Sequence, residues 1–90
     1  MLDGGWLESN VDRIAKEQGQ FCAKVIEDYL KIRIDMGDKI EDITQGYDKD
    51  GCIIIFVHNQ LVATFRFISE VVESENYTFK YVTTVYREDY

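Results

Sequence analysis

Few residues in this chain have the chemistry to react. They are two cysteines, Cys22 and Cys52, one histidine, His58, and three adjacent carboxylate pairs, Glu27-Asp28, Glu41-Asp42 and Glu88-Asp89. A thiolate–imidazole pair needs sulfur and nitrogen within hydrogen-bond reach. Cys52 and His58 share one face of a predicted strand, but the strand between them sets them roughly 20 Å apart. Nothing local brings Cys22 to either. His58 is read as a turn residue. Zinc asks for closely spaced ligands, and this set lacks that spacing. Adjacent carboxylates on a helix or strand point apart, so they are not acid–base dyads. We expect no catalytic, metal or cofactor-binding residue, and a protein that is not an enzyme.

Two further patterns resemble sites and fail on spacing. Asp48-Lys49-Asp50-Gly51 has the look of a calcium loop. If Gly51 is set as the invariant glycine, Gly46 takes the first ligand position and Val57 the bidentate one, and neither carries an oxygen side chain. The segment reads instead as a type I turn closed by a glycine bulge. The aromatics Phe65, Phe67, Tyr77, Phe79 and Tyr81 suggest a sheet that stacks nucleobases. Such sheets interleave basic residues, and only Arg66 and Lys80 are available here. Core packing accounts for these rings better.

Charge points the same way. The chain has 90 residues, 17 acidic and 10 basic, for a formal net charge of −7. An acidic chain is a poor match for a phosphate backbone or an anionic membrane. We therefore expect no direct nucleic-acid partner and no membrane association. Met1 to Gly5 has neither the basic nor the apolar region of a leader, and the longest apolar run, Cys52 to Val57, is of strand length. Two cysteines make no disulfide framework, so free thiols in a reducing cytoplasm are expected.

The elements that must position these residues follow from hydrophobic period. Leu7, Val11, Ile14, Phe21, Cys22, Val25, Ile26, Tyr29 and Leu30 recur at helical spacing. Beyond Gly37, Tyr77, Phe79, Tyr81 and Val85 alternate at strand spacing. We expect one α+β domain over 1–90: a flexible segment 1–8, a helix 9–36, and a four-stranded antiparallel meander 40–87, in two layers. Ser9 and Asp12 have the form of a helix start, and Gly37 that of a stop. The expected strands are 40–47, 52–57, 61–68 with an extension toward Val72, and 77–86. The turns are expected at 48–51, 58–60 and 73–76.

A two-residue turn near Asn59 pairs even residues of the second strand with odd residues of the third. Ile54, Phe56, Leu61, Ala63, Phe65 and Phe67 then face the helix, joined by Phe79, Tyr81 and Val85. Ile53, Ile55, Val57, Val62, Thr64, Arg66 and Val82 form an outer face open to solvent. So much aliphatic surface reads as an interface, most simply a homodimer contact. In a meander the first and third turns lie at one end. Asp48, Asp50, Glu70, Glu73 and Glu75 would then converge there with Glu8 and Asp12, as an acidic rim facing a basic partner surface.

Together these features lead us to expect a small acidic protein-binding module that inhibits or modulates a larger partner. Small inhibitors, immunity proteins and viral or bacterial accessory antagonists act in this way. A basic, nucleic-acid-binding surface is the partner chemistry that the acidic rim suggests. The alternatives are a small-molecule carrier or enzyme, with a pocket lined by Phe21, Tyr29, Phe56, Phe67 and Tyr81, and a structural subunit of an assembly.

Overall fold

The computed structural model describes the backbone of residues 5–90 and the side chains of residues 9–90. A single long helix, α1 (Gly5–Asp35), packs on a four-stranded antiparallel sheet in the order β1-β2-β3-β4. The strands are β1 (Ile43–Tyr47), β2 (Ile53–Val57), β3 (Gln60–Glu75) and β4 (Thr78–Asp89), and a 3-10 turn, Ile40–Asp42, leads into β1. The α+β meander expected from the change of hydrophobic period is present. Of the expected flexible segment 1–8, residues 1–4 lie outside the described residues, and the helix already runs from Gly5.

Ser9 is therefore not the helix cap. It lies inside α1 and is exposed, while the next residue, Asn10, is buried and used in a tertiary contact. The C-terminus is as expected within one residue. Asp38 N–H donates to Arg33 O and Gly37 N–H to Ile34 O, with Gly37 at φ +106°, the two bonds of a Schellman motif. An Arg33–Asp38 ion pair at 2.7 Å spans the same turn. On the solvated face, a Glu27–Lys31 pair forms at 3.1 Å, beside a Lys24–Asp28 pair at 3.0 Å.

Three turns set the sheet. Asp48 N–H donates to Cys52 O, Gly51 N–H donates to Asp48 O, and Gly51 has φ +81°. This is the expected type I turn with a glycine bulge. His58 and Asn59 both have positive φ, so β2 and β3 join by a two-residue turn. The third turn lies later than expected, at Asn76 and Tyr77, because β3 runs on to Glu75.

The expected assignment of faces fails on β2, and a β-bulge is the reason. Val57 pairs with Gln60 and Phe56 with Leu61, as a two-residue turn demands, but Ile55 then pairs with Ala63. Val62 is the extra residue, and beyond it odd residues of β2 face odd residues of β3. Ile53, Ile55 and Val57, expected on the outer face, are buried beneath the helix with Ala63 and Phe65. Ile54 and Phe56, expected inside, face outward. Ala63, Phe65, Phe67, Tyr81 and Val85 lie inside as expected, and Thr64, Arg66 and Val82 lie outside. A second bulge at Val72 interrupts the pairing of β3 with β4.

The core is small. Ile26 and Tyr29 of α1 meet Ile53, Ile55, Ala63 and Phe65. Tyr29 meets Phe65 edge-on at 5.2 Å between ring centroids, and Arg87 lies over the Tyr29 ring at 4.8 Å. Beyond the level of Phe65, β3 and β4 continue as a two-stranded arm, since β2 begins at Ile53 opposite Phe65. This arm gives the molecule its length, 57 × 25 × 19 Å.

Candidate functional site

The arm needs support, and α1 supplies it through polar side chains on one stripe. The Asn10 amide accepts from Phe79 N–H at 2.9 Å and donates to Tyr77 O at 2.6 Å. Arg13 donates to Phe79 O, to Asn10 Oδ1 and to Glu17. Glu17 accepts from the Tyr81 hydroxyl at 2.6 Å. That bond, together with desolvation, raises the pKa of Tyr81. Positions 10, 13 and 17 share a helix face. The spacing is visible in the sequence, but nothing local in it names a partner strand.

With α1 on the inner side, the outer side of the sheet has no second layer among the described residues. Register places Ile54, Phe56, Ile68, Val82 and Tyr86 there, around Thr64 and Arg66. Val82 and Tyr86 each keep 54% of their surface exposed. A shallow depression of about 480 Å³ in this face is lined by Cys52, Thr64, Arg66, Ile68, Tyr86 and Glu88. Val62, expected in this set, is the bulge residue and packs against the core margin instead.

The expected acidic rim is not one cluster. Cys52 precedes Ile53, which faces Phe65, so the 48–51 turn lies level with Arg66 and Phe67. Glu73 and Glu75 sit at the far end of the arm, roughly 25 Å further along the strand. The third strand is longer than expected, and its extra length separates the two turns. Asp48 is also committed to its own turn, where Oδ1 accepts the N–H groups of Asp50 and Cys52 at 2.8 and 2.9 Å. Lys80 lies between Glu73 and Glu75 at 3.7 and 3.4 Å. Glu70 pairs across from Val82, at the edge of the outer apolar strip. The carboxylates thus flank the outer face in two groups, one at each end. The side chain of Glu8 lies outside the described residues.

The residues with reactive side chains stay apart. Cys22 faces the space between helix and sheet and Cys52 the outer face, so the sheet separates them. Both are free thiols. Desolvation raises the pKa of Cys22, and desolvation with the nearby Asp48 carboxylate raises that of Cys52. Both shifts oppose thiolate formation. His58 lies 3.4 Å from Asp42 at the β2–β3 turn. No group of three or more metal-ligating side chains occurs among the described residues. The cavity between helix and sheet, about 680 Å³, is lined by Cys22, Ile26, Leu30, Gln45 and Tyr47 among others, and of the expected aromatic lining only Phe67 reaches it.

No described helix is long and apolar enough to cross a membrane. No family model, no curated protein and no solved structure matches this chain.

Proposed function

We propose that this protein is a small acidic, non-enzymatic binding module that inhibits or modulates a larger protein partner in the cytoplasm. The observation that carries this reading is the uncovered outer sheet face. Ile54, Phe56, Ile68, Val82 and Tyr86 form an apolar strip on a hydrogen-bonded platform. Apolar strips of this kind on small proteins serve as contact surfaces. Carboxylates flank the strip at both ends, with Asp48, Asp50 and Glu88 on one side and Glu70, Glu73 and Glu75 on the other. A basic surface with an apolar centre is the complement, and a protein that ordinarily holds nucleic acid offers one.

Occlusion fits the shape. The arm carries one of the two acidic groups well beyond the core, so one face can cover a site wider than the core itself. The raised pKa of both thiols and the distance of His58 from either of them support a role in binding rather than catalysis.

Capture of a protein from the native host on the tagged chain, compared with the Val82→Asp and Ile54→Lys variants, tests the reading. The expected result is one stoichiometric protein held by the unaltered chain and lost by both folded variants. Equal capture by all three, or a bound metabolite in place of a protein, rejects it.

A further inference from the structure

The two edges of the sheet are not alike. At β4 the edge groups of Tyr77 and Phe79 are taken by Asn10 and Arg13. The other end of β4 carries Arg87, Glu88 and Asp89, charges of the kind that discourage edge pairing. At β1 the ladder itself shows which groups are left. Asp48 N–H donates to Cys52 O and His58 N–H to Asp42 O, so Asp42, Thr44, Gly46 and Asp48 turn their backbone toward β2. Ile43, Gln45 and Tyr47 turn theirs outward. Ile43 N–H is taken by Ile40 O. Among the described residues, that leaves the Ile43 carbonyl, and both backbone groups of Gln45 and Tyr47, along an open edge.

The side chains of these three residues point to the inner face, beside the cavity of about 680 Å³ between α1 and the sheet. Ala15, Gly19 and Ala23 keep the helix wall of that cavity thin. Tyr47 lines it and keeps 71% of its surface exposed.

We propose that β1 pairs with β1 of a second copy of this chain, antiparallel about a two-fold axis through Gln45, so that Tyr47 of each copy packs beside Ile43 of the other. The sequence around β1 is its own complement in this register. Gln45 meets Gln45, Ile43 meets Tyr47 as a β-branched–aromatic pair, and Glu41 meets Lys49 as opposite charges. Four backbone hydrogen bonds form: two between the Gln45 residues, and one from each Tyr47 N–H to the Ile43 carbonyl of the other copy. The like-charged pair in this register is Asp42 with Asp48, and both carboxylates are engaged within their own chain, with His58 and with the 48–51 turn. The product is a continuous eight-stranded sheet with both helices on one face. The outer face stays open, so this pairing does not depend on the function proposed above.

Sedimentation velocity at tens of micromolar chain tests the pairing. A dimer is expected. Lys49→Glu and Glu41→Lys should each weaken it about tenfold by replacing attraction with repulsion at two symmetric places. The combined exchange should restore it. Gln45→Pro should give a monomer with unchanged circular dichroism, because the Gln45 N–H lies outside the β1–β2 ladder. A monomeric unaltered chain overturns the proposal. A dimer indifferent to Gln45→Pro, or a double exchange that fails to restore association, also overturns it.

Discussion

Asn10 and Phe79 are joined as two neighbouring strands would be, although one is on a helix. The side-chain amide accepts the Phe79 N–H and donates to Tyr77 O, presenting a peptide-like group to the edge of β4. Asn10 retains only 6% of its exposure. Replacing it with Ala removes both of these bonds to the arm. We expect Asn10→Ala to cost about 2 kcal/mol. Hydrogen exchange at Phe79 should accelerate more than at Ile55. Uniform acceleration across the sheet would show that the contact does not hold the arm in particular.

The bulge at Val62 predicts opposite behaviour for two neighbouring isoleucines. Ile55 is fully buried and Ile54 faces outward. Ile55→Ala should cost about 3 kcal/mol, and Ile54→Ala about 1 kcal/mol or less, in chemical denaturation. The reverse order would place the faces as an unbulged hairpin has them.

Tyr81 and Tyr29 should be the late tyrosines in an alkaline titration. The bond to Glu17 raises the pKa of Tyr81 above the ordinary value near about 10, and burial raises that of Tyr29. A folded-state pKa above the unfolded one stabilises the protein below the ordinary tyrosine range, and this contribution fades as pH rises through the folded value. Glu17→Gln should move one late transition in the phenolate absorbance to lower pH, and Tyr81→Phe should remove it. An unchanged titration in Glu17→Gln would mean the bond does not govern Tyr81.

Both thiols should react slowly with alkylating reagents at neutral pH, because each is held toward its protonated form. Without reductant the chain should still carry two titratable thiols after unfolding, since the sheet lies between them. Cys22→Ala and Cys52→Ala should each cost about 1 kcal/mol and leave partner binding intact. A missing thiol pair, or binding lost at unchanged stability, would count against this.

Much of the fold was legible in the residues. The shift from helical to alternating spacing marked the two layers, and Gly37, Gly51 and the His58-Asn59 turn each had local chemistry that fixes a conformation. What was hidden depends on tertiary choice. The run Leu61-Val62-Ala63 breaks the alternation and is the one sign of the bulge. Without it, a count from the turn sends Ile53, Ile55 and Val57 to the wrong side. Ser9 reads as a cap because local hydrogen bonding is visible in sequence, whereas the link from Asn10 to the distant edge of β4 is not. The acidic rim rested on equal strand lengths. The polar stretch from Glu73 to Asn76 reads as a turn, yet pairing with β4 carries Glu73 to Glu75 as strand.

The unequal edges also govern how many copies a sheet of this kind can gather. An element open on both sides adds neighbours without limit and grows into a filament. Here the helix takes the groups at one end of the β4 edge and charges line its other end, while the β1 edge is self-complementary, so the first pairing consumes the more inviting edge of each participant. Association through β1 therefore terminates itself at two, and the long arms are left pointing away from each other as the free ends of a finite particle.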